Sequence, residues 1–489
     1  MTLHGVNYHP MVYLNGNLLQ PYSTTTTSVD RDNVGGMFLR RYYDLGIDYS
    51  YPSSSSSIPL EILVLPPPYV GKPIKLNSSS VNHYINPKYG LEGDHHQGGD
   101  HNIAKSGAIM QFTAGWDWVQ STPDRNVGIY DRVDIEWIDG DVKLHDLYVK
   151  IVNITTQDVE EIDETLPLGD DVIVSAWLDL SLTVTNHQQS DDTINGQFQY
   201  WITPSSSSSN ILASGTIDNI SIQQQVTDYQ LGQVQLPNAK LWWPHSHSTR
   251  HRQPLYTLHV KFTSDKVNDS TAGHEAQTQA TFGVRTVSSY THPNTKSFAL
   301  RVNGHTIFLT GGNWITSDQF LRYHNSPQRY LQELSLIRHL GMNSIRVWGG
   351  GGIAESDHFY NTADSLGLLV YQEFWMTGDN NGRMAGSYDW PLDHSAYLVN
   401  VEDTIKRLRN HPSLCLYAAG NELYPIPSST SSPSVGTNPP RDIESRLEKF
   451  IADLDGSRPY VTSSVSRVGK DFNPTRTLGG EWYCTREAG

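Results

Sequence analysis

Apolar residues run unbroken from position 414 to 419 and stop on Gly420-Asn421-Glu422, which predicts a strand buried on both faces with a carboxylate at its C-terminal end. The pattern recurs upstream. Residues 306–310 lead into Gly311-Gly312-Asn313-Trp314, 343–347 into Trp348-Gly349-Gly350-Gly351, and 368–371 into Gln372-Glu373-Phe374-Trp375. Stretches with helical period lie between them, at 327–340, 355–366 and 396–409, and a further helix (441–453) and strand (459–465) complete a fifth unit. Strand and helix thus alternate, with polar and aromatic groups collecting at strand C-termini, where β/α barrels place their catalytic groups. Glu422 is the first candidate for a general acid/base. A closed barrel takes about 250 residues, more than lie between Arg301 and Gly489, so the barrel is expected to be unfinished at its C-terminal side.

Before residue 300 helical period is scarce. Short alternating runs at 11–14, 61–65, 147–152, 172–185 and 254–262 are separated by Pro, Gly, Asn or Ser clusters, the signature of β-sandwich material. We expect three domains: residues 1–145 and 146–284 as sandwiches and 285–489 as the partial barrel. The Ser and Thr runs at 24–27, 53–57, 205–209 and 428–432 cannot bury apolar surface and read as loops.

At 489 residues the chain exceeds what one core supports, in keeping with several domains. Its formal charge of −16, with no basic run, argues against nucleic-acid or anionic-membrane partners. Twelve Trp and 26 Tyr suit a protein that stacks sugars on aromatic faces, although most such rings fill cores. Cys415 and Cys484 make no disulfide framework, and Cys415 reads as core. The histidines around His95, His96 and His101 lack metal-ligand geometry, and no cofactor is implied. Gly349 to Gly352 lack the Lys and Ser/Thr of a phosphate loop, so they mark close backbone approach. Four sequons, at Asn77, Asn153, Asn219 and Asn268, fit a secretory, lysosomal or vacuolar protein, yet Ser/Thr-rich chains form such triplets by chance. They leave the compartment open.

The barrel motifs quoted above, with Arg409-Asn410-His411-Pro412-Ser413, resemble in order and spacing those of glycoside hydrolase family 2. Gly115-Trp116-Asp117-Trp118 and Leu241-Trp242-Trp243-Pro244 are similar to motifs of its sugar-binding and immunoglobulin-like domains. With Gly98-Gly99-Asp100-His101 and Asp124-Arg125-Asn126, the set looks most like the branch that holds endo-β-mannosidases and exo-β-glucosaminidases. The resemblance implies a jelly-roll-like sugar-binding sandwich, an immunoglobulin-like sandwich and a TIM barrel, acting on the glycan of an oligosaccharide or glycoprotein by a retaining mechanism. Glu422 would be the acid/base, and Asn421 would hold the sugar's 2-hydroxyl. Asp117 would reach over the barrel mouth to the non-reducing sugar. Glu373 would either line the subsite or pair with Arg346. Trp348 and Trp375 would stack on sugar or plug the barrel top, and Asn313 and Trp314 would line the site.

Two features depart from the family. The start, Gly5-Val6-Asn7-Tyr8, resembles the middle of the sugar-binding sandwich, and the nucleophile expected on the seventh barrel strand has no match. Asn473-Pro474 is followed by Thr475, and Glu481 and Glu487 follow too soon after the fifth strand. The reading is a β-mannosidase-type enzyme whose nucleophile is missing from this chain and which does not turn over alone. The alternatives are an exo-β-glucosaminidase, against which the resemblance sets an intact Glu422, and a non-catalytic glycan-binding fragment.

Overall fold

The computed structural model describes residues 1–22, 34–46, 57–68, 101–115, 122, 126–138, 140–156, 168–169, 172–187, 193–223, 226–247, 253–265, 275–293, 298–350, 353–378, 390–423 and 439–464. Among the described residues no helix is long and apolar enough to cross a membrane.

The N-terminal part is built of small antiparallel sheets, such as His9–Leu14 between Asn17–Leu19 and Leu60–Leu65. A true sandwich follows. One sheet carries Ile173–Asn186 between Val142–Thr155 and Val226–Lys240, and the other has the order Ala213–Ile222, Ile194–Pro204, Tyr256–Ser264, Glu275–Phe282. Period two explains the core. Tyr256, Leu258, Val260 and Phe262 alternate inward along one strand and meet Leu178, Leu180 and Val184 from the facing sheet.

The C-terminal part is a parallel sheet of five strands in chain order: β1 (Gly311–Trp314), β2 (Ser344–Val347), β3 (Leu369–Thr377), β4 (Leu414–Asn421) and β5 (Tyr460–Val461). They alternate with helices α1 (Pro327–His339), α2 (Asp357–Leu366), α3 (His394–Leu408) and α4 (Arg441–Phe450). Local chemistry sets the helix bounds. The Ser326 side chain accepts from Arg329 N–H ahead of Pro327, the Asp393 side chain accepts from Ala396 N–H, and α2 stops on left-handed Gly367. Every residue of β3 and β4 is buried, as strands covered on both faces require.

One element departs from expectation. The run 306–310 does not form the first barrel strand; His305–Ile307 closes an antiparallel sheet with Phe298–Val302 and Val287–Thr291. That sheet packs its apolar face on the lower ends of the barrel strands, where Phe298, Leu300 and Val302 cluster with Leu369, Leu416 and Val461. The barrel strand begins at Gly311, whose absent side chain lets the backbone approach Ser344: a Cβ would lie 2.0 Å from the Ser344 carbonyl oxygen.

Helix α3 is buried almost throughout because the N-terminal part covers its outer face. Arg40 joins Asp403 of α3 to Asp146 of the sandwich, both at 2.9 Å, and Asn400 accepts from Phe38 N–H at 3.1 Å. The burial of these polar groups is thereby satisfied, and it orients the N-terminal part on the barrel.

Candidate active site

The register of the parallel strands places Asn313 beside Arg346, Arg346 beside Tyr371, and Thr377 beside Asn421. Their side chains meet. Arg346 donates from Nε and Nη2 to Glu373 Oε1 at 2.9 and 2.7 Å, from Nη1 to Asn313 Oδ1 at 2.9 Å, and from Nη2 to Asn421 Oδ1 at 2.7 Å. Glu373 is fully buried, and its oxygens also accept the Tyr371 hydroxyl at 2.6 Å and the Gly349 N–H at 2.7 Å. Burial is the largest influence on the Arg346 guanidinium and opposes its charge, but Glu373 and Tyr371 together outweigh it and raise the pKa; burial and the Glu373 carboxylate hold Tyr371 well above the ordinary phenol range. Tyr371 is therefore fixed as a donor.

Asn421 closes the network. With Oδ1 taken by a cation, its amide must present Nδ2 on the other side, where it donates to Thr377 Oγ1 at 3.1 Å. Glu422 follows at once, with φ 48°, a left-handed conformation uncommon for a residue with a side chain and often found at functional sites. The backbone around it is pinned. Glu422 N–H donates to Ser464 Oγ at 3.1 Å, Leu423 N–H to Ser463 Oγ at 2.9 Å, and Gly378 N–H to the Asn421 carbonyl at 2.8 Å.

Trp348 is buried at the end of β2, and its N–H donates to the Trp314 carbonyl at 3.2 Å. Trp314, expected to line the sugar site, and Trp375, expected to stack on sugar or plug the barrel top, both pack against protein groups. Trp314 points its Nε1–H at the buried Glu355 (2.9 Å) and packs on Phe359. Trp375 is fully buried and stacks on Phe38 with ring centroids 3.9 Å apart, after the register shift between Glu373 and Met376. Asp117 lies outside the described residues, as do Cys484, Glu481 and Glu487.

Four contributing residues escaped the sequence reading. Tyr371 was accessible to it, since it stands two residues before Glu373 and so shares its face. Thr377 is the last residue of β3, where no motif singled it out. Ser463 and Ser464 follow the short strand β5, and nothing local marks them as clamps on β4.

Comparison with known proteins bears on this arrangement. The pattern for glycosyl hydrolases family 2 matches residues 169–285, and that for the family's TIM barrel domain matches residues 295–474. The chain is 31% identical over 489 residues to a mannosylglycoprotein endo-beta-mannosidase of Lilium longiflorum, covering 98% of this chain and 43% of that protein. It is 26% identical over 397 residues to a beta-mannosidase of Bos taurus, covering 76% of this chain and 38% of that one. It thus spans less than half the length of these relatives. Among solved structures, a beta-D-mannosidase from Dictyoglomus thermophilum superposes with a TM-score of 0.66 at 24% identity, covering 96% of this chain and 49% of its own. An exo-chitosanase from Amycolatopsis orientalis gives 0.62 at 20% identity, with 95% and 43% covered; at these identities both speak for the fold. The two family matches together take in more than half of the chain, and the protein belongs to glycosyl hydrolases family 2.

Proposed function

We propose that this chain carries the acid/base side of a retaining glycosidase site for β-mannosyl linkages. Glu422 is the general acid/base, and Asn421 donates from Nδ2 to the sugar's 2-hydroxyl. The observation that carries the reading is the bond from Arg346 to Asn421 Oδ1, which orients the amide with its two N–H groups away from the cation; one reaches Thr377 and the second is left for substrate. The names of the lily and bovine relatives support the mannosyl preference. The five strands are read as the first five of a (β/α)8 barrel, beneath a jelly-roll-like and an immunoglobulin-like sandwich. Asp117 is assigned by resemblance to the non-reducing sugar.

Retention needs two carboxyl groups about 5–5.5 Å apart. Glu422 would give its proton to the glycosidic oxygen as the C–O bond breaks, then take one from the water that releases the glycosyl-enzyme. Glu373 is unsuited to be the nucleophile, because both its oxygens are held by Arg346, Tyr371 and Gly349. We assign it to holding Arg346, and the nucleophile has no counterpart among the residues that match family motifs.

Azide, which can replace a missing carboxylate nucleophile, makes the test direct. The purified chain with azide should convert an aryl β-mannoside to α-mannosyl azide. Glu422→Gln should slow a poor leaving group such as phenol by roughly 10²-fold or more while sparing dinitrophenol. Equal rates for the two proteins on both leaving groups, or no azide product under any condition, would remove Glu422 from the role.

A further inference from the structure

A cavity of about 620 Å³, within the range of small-ligand sites, opens on the seam between the sandwich and the barrel. Its walls are the strand Val142–Thr155, the segment 282–287 and the turns that lead into β4 and β5. Glu422 follows the far end of β4, so the cavity lies on the opposite face of the barrel, about 25 Å from the mouth.

None of the described lining residues is acidic, whereas Lys150, Arg285, Arg409 and Arg458 all contribute to the wall. In a chain with a formal charge of −16 that grouping calls for an account. Two of the four cations are already matched. Arg458 donates to Asp455 Oδ2 at 2.8 Å, and Arg409, whose donors go to the Leu454 and Asp146 carbonyls at 2.8 and 2.7 Å, feels the Asp146 carboxylate. Arg285 and Lys150 are not matched. Arg285, 5% exposed, donates to the Pro412 and Leu414 carbonyls, which are neutral. Its Nη1 bonds to nothing among the described residues and is not sealed from solvent. Burial, and after it Arg458, bring its pKa down to about 9, so it stays charged at neutral pH without a counterion beside it. The Lys150 ammonium lies close to Gly456, where a Cβ would come within 2.7 Å of it, and forms no ion pair among the described residues. Its cross-strand neighbour Asp179 accepts from Gln233 Nε2 at 3.2 Å. On the same wall, Asn153 Oδ1 accepts from Ile154 N–H at 2.7 Å, which leaves its Nδ2 to donate elsewhere.

We propose that this seam cavity binds a small oxyanion of the phosphate class, held by Arg285 Nη1 and Lys150 Nζ with the Asn153 amide as a further donor. A dianion matches the two uncompensated charges, and oxyanion oxygens form strong hydrogen bonds with guanidinium and ammonium donors. Lys150 and Asn153 belong to the sandwich, and Arg285 grips the turn before β4, so the anion would fasten the sandwich to the lower end of the barrel. Nothing in this depends on the glycosidase reading.

The test is thermal unfolding of the whole chain in rising inorganic phosphate, against sodium chloride at matched ionic strength. Phosphate at about 100 times its Kd should raise the melting midpoint by about 5 °C, and chloride should not. Lys150→Gln, at a partly exposed position, should raise the phosphate concentration needed for half the effect by roughly 10-fold or more, as the loss of a charged hydrogen bond implies. Asn153→Asp sets a carboxylate on the cavity wall, and it should raise the midpoint in phosphate-free buffer and abolish the response. Arg285 is kept, because it also holds the turn before β4. Glucose 6-phosphate distinguishes the source of the anion: tighter binding than the free ion supports a phosphomonoester as occupant, and weaker binding supports inorganic phosphate. A phosphate response no larger than that of chloride, or one equal in wild type, Lys150→Gln and Asn153→Asp, overturns the proposal.

Discussion

Replacing Arg346 by Met keeps the apolar stem and deletes the guanidinium that ties Glu373, Asn313 and Asn421 together. Glu373 is then left fully buried, with only the Tyr371 hydroxyl and the Gly349 N–H as donors. Removing one partner of a buried ion pair costs about 3–5 kcal/mol, most of it the charge left behind. Here the pair is at 2.7 Å, but the Arg346 side chain is 21% exposed, so water can partly replace it and the lower end applies, about 3 kcal/mol. For a unit the size of the barrel, each kcal/mol moves the melting midpoint by about 2–4 °C, giving a loss of roughly 6–12 °C. Adding Glu373→Gln removes the stranded charge while keeping an acceptor for Gly349, so the double variant should recover at least about 1.5 kcal/mol relative to additivity. Scanning calorimetry of the wild type, both single variants and the double variant measures this. A melting midpoint for Arg346→Met within about 2 °C of wild type, or strict additivity in the double variant, would refute the claim that this ion pair organises the mouth.

Two more predictions concern stability. Burial pushes the His145 imidazole down to about 3 from 6.5, so the unfolded chain takes a proton that the folded chain refuses, and stability should fall as the pH drops from 6.5 toward 3. The slope should reach at most about 1.4 kcal/mol per pH unit in urea titrations. His145→Phe, which keeps a ring against Tyr42, should flatten that window, and an unchanged slope would exclude His145 as the source. Gly349→Ala would set a Cβ 2.5 Å from the Phe374 carbonyl oxygen, forcing β2 from β3 and displacing the N–H that holds Glu373. A loss of about 2 kcal/mol with weaker mannoside binding is expected, and wild-type stability would show that the close approach is not needed.

The local pattern by itself determined the order of the elements and the kind of residue that ends each strand. A parallel strand covered on both faces must be apolar along its length, so β3 and β4 announce themselves, and a polar stop such as Asn421-Glu422 marks where the cover ends. Helix bounds were legible to within a few residues because they are punctuated locally: Ser326-Pro327 begins α1 and Gly367 ends α2. The run 306–310 was misread because a hairpin strand and a barrel strand carry the same apolar pattern, and only the partner distinguishes them. For Trp375 the residue type was equally silent, since a tryptophan suits a sugar face and a packed interface alike; Phe38, far away in sequence, decides which. The same holds for Arg346. Its charge called for a carboxylate, but whether Glu373 would be that partner or a sugar contact depended on strands 27 residues apart, and its grip on Asn421 on a separation of 75. Those choices belong to tertiary structure because the register and curvature of the sheet select which side chains meet, and no local pattern encodes that selection.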